Sequence, residues 1–281
     1  MVSFATVLCC ILTLFVSLVL PLAVLVFMMV KYKKQGALSA WLLGAAGFFI
    51  TQILIRLPIL TVLQSQSWFL AFSQSHLFLY AFSLAFTAGL FELAGRFAVA
   101  GLMRKNLTFR RSLAAGLGHG GIEAMVLIGM TYVNNLIYIA MINSGAFDTV
   151  IAQTAAMGVD TASLELIRNQ LLGTSPALFL LSGLERLLAM TAHTAMSMLV
   201  CYGVASKKPL PCLLLCLGIH TLIDLTAGIS LLTDRLSQTA IYVIIYLILA
   251  AVAAVSLFLI RQLHRRWQDL PQKEVFHDPQ E

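Results

Sequence analysis

The sequence predicts an all-α fold, a polytopic transmembrane helical bundle of about seven spans. The first reason is composition: 60% of the 281 residues are hydrophobic and 11% are charged, whereas soluble domains are about one-quarter charged. The second reason is that the apolar residues form runs of the length that crosses a bilayer, about 20 residues per helix. The third is that short basic clusters separate these runs. The composition therefore favours one membrane-embedded domain over a soluble one.

The apolar runs place the individual spans. They lie near residues 3–30, 38–63, 74–103, 111–142, 176–204, 209–232 and 237–260. The chain then divides into one helical membrane domain, residues 1–263, and a polar cytoplasmic tail, residues 264–281. In the long segment 143–175, apolar residues recur at helical spacing between charged ones, which predicts a short amphipathic helix.

The basic residues also predict an orientation. Most of the 18 lysines and arginines lie after the first, third and fifth spans and after the seventh. By the positive-inside rule, the N-terminus lies outside and the C-terminus in the cytoplasm. The net charge of +6 does not indicate nucleic-acid binding, because the basic residues fall in short clusters between apolar runs. The lipid bilayer is the partner that the sequence predicts.

Ionisable side chains inside the spans are costly, and they mark functional sites by default. They are Arg56, Glu92, Arg96, His119, Glu123, Glu185, Arg186, His193, His220 and Asp224. Three pairs are spaced four residues apart, so that both members lie on one helix face; they are Glu92 with Arg96, His119 with Glu123, and His220 with Asp224. The helical rise places Glu92, His193 and His220 each about 16 Å from the cytoplasmic ends of their spans. We therefore predict one buried polar site shared by four helices, with Arg56 in a structural role outside it.

A buried carboxylate beside imidazoles suits several chemistries. In hydrolysis, the glutamate is a general base for water and an imidazole assists it or stabilises the oxyanion. In a zinc-dependent version His119, His193 and His220 are the ligands, and Glu92 or Glu123 is the base. The zincin motif H-E-x-x-H is absent. The same cluster also suits a proton-coupled membrane transporter or a binding protein. The residues alone are equally compatible with a site that has no cofactor.

The order of these motifs resembles a known group. E-x-x-x-R on the third predicted span, a histidine on the fourth and H-x-x-x-D on the sixth resemble the CAAX-protease and bacteriocin-processing superfamily of intramembrane proteases. The pattern of that superfamily is E-E-x-x-x-R, F-x-x-x-H and H-x-x-x-N/D. The segment G-L-G-H-G-G-I-E-A, the E-R pair before His193 and the seven-span layout are most similar to its YhfC-type branch, over residues 40–260.

The resemblance implies a bacterial plasma-membrane peptidase that hydrolyses a membrane-associated peptide or protein. It implies that Glu92 activates water, that His119 assists, and that Arg96 orients the glutamate. It also implies that His220 and Asp224 stabilise the oxyanion or support the residues that do.

This chain departs from the superfamily pattern at several positions. Phe91 stands where the first glutamate of the E-E pair is expected, and Asp224 stands where the superfamily often has asparagine. Glu123, Glu185 and His193 are additions that the superfamily pattern does not require. They favour a metal site, and a glutamic-type and a metal-dependent mechanism both remain open. Supporting roles are assigned to Arg96, Glu185, Arg186 and His193.

Overall fold

The computed structural model describes residues 1–229 and 236–270, and its long elements are all helices. Seven of them are long and apolar enough to cross a membrane: α1 Phe4–Gln35, α2 Ala37–Gln64, α4 Leu77–Leu102, α5 Phe109–Ser144, α8 Pro176–Ala205, α9 Pro209–Ile229 and α10 Gln238–Gln268. Three shorter helices connect them: α3 Ser67–Ser75, α6 Ala146–Ala156 and α7 Ala162–Gly173. Within the two described ranges there is no strand, so the predicted all-α fold with seven spans is confirmed.

The predicted span limits differ from the observed ones mainly at two ends. α1 continues beyond residue 30 to Gln35, and α10 continues beyond residue 260 to Gln268. Residues 264–268 of the predicted tail are therefore helical, whereas residues 271–281 lie outside the described residues, as do residues 230–232 of the sixth predicted span. α7 confirms the helix expected within residues 143–175. The division at residue 263 remains a prediction.

The helix starts follow from local sequence. Ser3, Thr108 and Ser237 each precede a helix, and each side-chain oxygen accepts a hydrogen bond from the backbone N–H three residues later. Such bonds satisfy donors that have no partner in the first turn. Gly36 separates α1 from α2 at φ +68°, a left-handed conformation that glycine adopts without steric cost.

Helix α8 is the central helix of the bundle. Its most apolar stretch is 67% buried within the protein, against 17–28% for the corresponding stretches of the other six long helices. It packs against α1, α4, α5, α9 and α10. The stretch from His193 to Cys201 is buried without interruption. A side chain on this part of α8 is therefore surrounded by protein rather than by lipid.

Glycines on α5 bring that helix close to its two neighbours. A Cβ added at Gly118 would lie 2.0 Å from the backbone oxygen of Trp41 on α2, and one at Gly116 would lie 2.8 Å from Cα of Thr194 on α8. Small residues allow such close helix approach in membranes. α5 is thus packed tightly between α2 and α8, and this packing places His119 in the interior, 1% exposed.

Candidate active site

Glu92 lies at the centre of the polar cluster and is only 3% exposed. Its Oε2 lies 2.8 Å from Nη2 of Arg96 and 2.9 Å from Nε2 of His119, both in hydrogen-bonding geometry. The same oxygen lies 2.8 Å from Nε2 of His220 and 3.4 Å from Nδ1 of His193. One carboxylate oxygen therefore lies within 3.4 Å of an arginine and three imidazoles, from helices α4, α5, α8 and α9.

The other oxygen of Glu92 is held by a residue that the sequence did not single out. Gln52 of α2 is buried, and its Nε2 donates to Oε1 of Glu92 at 2.8 Å and to the backbone oxygen of Ala88 at 3.2 Å. Nη1 of Arg56 donates in turn to the side-chain oxygen of Gln52 at 3.3 Å. Gln52 and Arg56 lie in a π-helical segment, Phe49–Arg56, a feature that is frequent at functional sites.

Glu123 forms the second half of the cluster. Its Oε2 lies 3.1 Å from Nε2 of His193, and its Oε1 accepts from Nη1 of Arg186 at 3.1 Å. The second guanidinium nitrogen of Arg186 pairs with Glu185, the preceding residue. Oε2 of Glu123 is buried and has no hydrogen-bond partner among the described residues. His193 therefore lies between the two carboxylates, with one ring nitrogen facing each.

The imidazole rings pack against one another and against one aromatic residue. His119 and His193 are stacked at 5.6 Å between ring centroids, and His193 meets His220 edge to face at 5.3 Å. Phe48 contacts His119 edge to face at 5.4 Å. This packing fixes the ring planes, so the nitrogens are oriented by the fold and not only by their polar partners.

His220 and Asp224 form the edge of the site. Nδ1 of His220 lies 3.4 Å from Oδ2 of Asp224, and neither ring nitrogen of His220 has a hydrogen bond in the described part of the chain. Asp224 also lines a cavity of about 360 Å³ between α2, α4 and α9, together with Arg56. Asp224, which contacts a central histidine, therefore also faces a cavity.

Four of these residues could hold a metal ion. Ligand atoms of Glu92, His119, Glu123 and His193 all lie within 4.8 Å of one another, and all four residues are buried. Two imidazoles and a glutamate form a known catalytic zinc ligand set, so the donor chemistry fits zinc. Of the expected three histidines, this group contains His119 and His193 together with Glu92 and Glu123, and it does not contain His220.

Arg96 imposes a condition on metal binding. Its Nη2 lies 2.6 Å from Nδ1 of His193, and a neutral imidazole has only one unprotonated nitrogen. Use of either nitrogen of His193 as a ligand removes the acceptor that Arg96 has there. Arg96 would then remain paired with Glu92 alone, at 2.8 Å.

The predicted site residues are therefore brought together almost completely. Glu92, Arg96, His119, His193 and His220 share one centre. The remaining predicted residues extend the site to either side: Glu123, Arg186 and Glu185 on one, and Asp224 on the other. The arrangement places a carboxylate beside imidazoles, all of them buried, as general-base activation of water requires.

A seven-helix bundle with this buried histidine–carboxylate cluster defines an integral membrane protein with a polar site in its interior. The sequence matches the YhfC intramembrane metalloprotease family over residues 16–257, and the chain belongs to that family. It is 29% identical over 254 residues to a Bacillus subtilis (strain 168) protein described as "Uncharacterized membrane protein YhfC", covering 90% of this chain and 94% of that protein. No solved structure matches.

Proposed function

We propose that this protein is a zinc-dependent intramembrane protease that hydrolyses peptide bonds of a membrane-associated protein or peptide. The observation that carries the proposal is the buried group of two histidines and two glutamates inside a membrane bundle. The family name supports the same chemistry. A proton-coupled transporter could use such a cluster as well, but this set of residues matches the ligands of hydrolytic zinc sites.

The two glutamates differ in what surrounds them, which supports different roles. Glu123 has one oxygen paired with Arg186 and one buried oxygen without a hydrogen bond beside His193. It therefore suits a third ligand, with His119 and His193 as the other two. Zinc held there would polarise the scissile carbonyl and acidify a water molecule.

Glu92 suits the general base in this scheme. Gln52 holds its Oε1 and Arg96 contacts its Oε2, so the carboxylate is fixed in orientation before a substrate arrives. It takes the proton of the attacking water and transfers it to the leaving amine. His220, 2.8 Å from Glu92 and backed by Asp224, donates to the oxyanion of the tetrahedral species.

Substitutions in purified protein test the proposal through two readouts, zinc content and cleavage of a membrane-spanning model peptide. Glu92→Gln should retain zinc and abolish cleavage, because it removes the base. His119→Ala should lose both, and His220→Ala should retain zinc with reduced cleavage. His76→Ala is the matched control, because His76 is exposed and lies outside the cluster. Cleavage by protein that contains no zinc would contradict the metal mechanism and favour a glutamic-type one.

The orientation is part of the same proposal. The basic clusters support an N-terminus outside and a C-terminus in the cytoplasm of a bacterial plasma membrane. Reporter fusions at residues 1 and 281 test this, with an enzyme active only outside the cytoplasm and a fluorophore that matures only within it. The reverse pattern of signals would contradict the assignment.

A further inference from the structure

A second cavity lies beside the site, on the far side of Arg186. It measures about 600 Å³ and lies between α5, α8, α9 and α10. Its wall includes three tyrosines, namely Tyr132, Tyr242 and Tyr246, together with hydroxyl and amide side chains. Glu185 is the one charged side chain among the described residues that line it. The described wall therefore carries groups that both donate and accept hydrogen bonds, together with a carboxylate and no cation.

Among the described residues, Glu185 is only partly neutralised where it lines the cavity. Arg186 is its one cationic contact in the described ranges, through Oε1, and the same guanidinium also pairs with Glu123. One positive charge is thus shared between two carboxylates. The Glu185 side chain remains 35% exposed, against 10% for that of Glu123. A carboxylate at membrane depth is expected to have a partner, and this one retains capacity for another cation.

The tyrosines suit the same kind of ligand. Tyr242 and Tyr246 are four residues apart on α10, so their rings project from one helix face. The face of an aromatic ring attracts ammonium and guanidinium groups. The hydroxyl of Tyr132 donates to the backbone oxygen of Phe179 at 2.9 Å, so its ring is held in place at the wall of the cavity.

A chain of ion pairs links the wall of the cavity to the zinc-ligand candidates. Arg186 bridges Glu185 on its wall to Glu123, and Glu123 lies 3.1 Å from His193. A residue bound in the cavity would therefore lie a few positions along an extended chain from a peptide bond at the site, given about 3.4 Å per residue.

We propose that this cavity binds a lysine or arginine side chain of the peptide substrate, with Glu185 as counter-ion and the tyrosine rings around it. That the bound chain is a substrate depends on the proposed function, whereas the selectivity for a cation depends on the cavity alone. The enzyme would accordingly cleave close to a basic residue buried at or near the membrane core.

Peptide binding without cleavage tests this inference. The probe is a fluorescent single-span leucine–alanine peptide with one lysine, compared with the same peptide carrying glutamine. Binding is measured on the full chain in phosphatidylcholine–phosphatidylglycerol nanodiscs, in a Glu92→Gln background that leaves the peptide intact. We expect the lysine peptide to bind about tenfold more tightly. Equal affinity for the two peptides would overturn the proposal.

Two further substitutions test whether Glu185 is responsible for the preference for the lysine peptide. Adding Glu185→Gln should reduce the preference to about twofold or less, and Glu185→Lys should reverse it toward a peptide with aspartate. Both leave the contact of Arg186 with Glu123 available, so we expect the bundle to persist. Glu165→Gln, which neutralises an exposed carboxylate on α7, is the matched control and should retain the preference. A preference that survives Glu185→Gln would also overturn the proposal.

A last binding measurement distinguishes a cationic peptide side chain from the amine of a lipid head group as the ligand of the cavity. Phosphatidylethanolamine carries a primary amine and can be added to the nanodiscs. If it abolishes the lysine preference, the cavity holds a lipid head group and the proposal fails. If binding shows the lysine preference but the active protein cleaves no peptide, the proposed protease function fails and the cation site stands.

Discussion

A substitution at Gln52 is the sharpest test of how the fold orients the carboxylate of Glu92. The change Gln52→Met keeps the length of the side chain but removes its amide. Oε1 of Glu92 then loses its donor at 2.8 Å, and Nη1 of Arg56 loses its acceptor at 3.3 Å. Both glutamate and glutamine are at most 5% exposed, so water does not easily replace either bond.

The expected loss follows from the negative charge of Glu92, which accepts the hydrogen bond that the substitution removes. A hydrogen bond to a charged group contributes about 1.5–3 kcal/mol, which corresponds to roughly 10- to 150-fold in a rate or equilibrium constant. Because Glu92 acts as base in the proposed mechanism, we expect this loss in kcat. Zinc affinity should stay within about twofold of the wild-type value, because Glu92 is not a ligand in that scheme.

The assay measures kcat on a membrane-spanning model peptide and zinc affinity by competition with a chromophoric chelator. Gln64→Met is the matched control, because Gln64 lies at the exposed end of the same helix. An unchanged kcat in a folded Gln52→Met protein would refute the positioning role. A parallel fall in zinc affinity would refute the assignment of Glu92 as base, because it would make that carboxylate a ligand.

Two other predictions concern the second glutamate and the helix packing. Glu123→Gln should lower zinc affinity at least about tenfold, the usual effect of disturbing a metal ligand or its partner, and the same chelator competition checks it; unchanged affinity would exclude Glu123 as a ligand. Gly118→Ala should destabilise the bundle by on the order of 1–3 kcal/mol, since its Cβ would lie 2.0 Å from the backbone oxygen of Trp41. Thermal unfolding measures this, and Gly101→Ala is the control because nothing lies within 4 Å of a Cβ there; equal melting temperatures for the two variants would contradict the packing argument.

The sequence predicted the fold and most of the site because both rest on strong local signals. Long apolar runs can satisfy their backbone groups in lipid only as helices or closed barrels. The spacing of four residues put Glu92 with Arg96, and His220 with Asp224, on single helix faces, and the structure shows both pairs in contact. Depth counted from the span ends added His193 to the same level.

What the sequence left open depends on how the helices rotate and pack against one another. Gln52 is uncharged, so it carries no signal of the kind that marks an intramembrane glutamate, although it lies four residues before Arg56. Judged only by depth in the predicted spans, His220 was as good a candidate metal ligand as His119. Only the packing shows which ligand atoms lie within 4.8 Å of one another, and these belong to Glu92, His119, Glu123 and His193.

The arginines of the site explain how so many carboxylates fit inside one membrane bundle. An unpaired buried charge is strongly destabilising, yet Glu92 contacts Arg96 and Glu123 contacts Arg186 from within the protein. The two carboxylates therefore have partners before any metal binds, and we expect the bundle to remain folded after zinc is removed. Metal binding then needs only a local exchange of partners at His193. In the proposed mechanism, this exchange would leave a densely paired site available to an ion. Among the described residues, Glu185 shares its one cationic partner, Arg186, with Glu123, which is why we propose that a substrate supplies a second one.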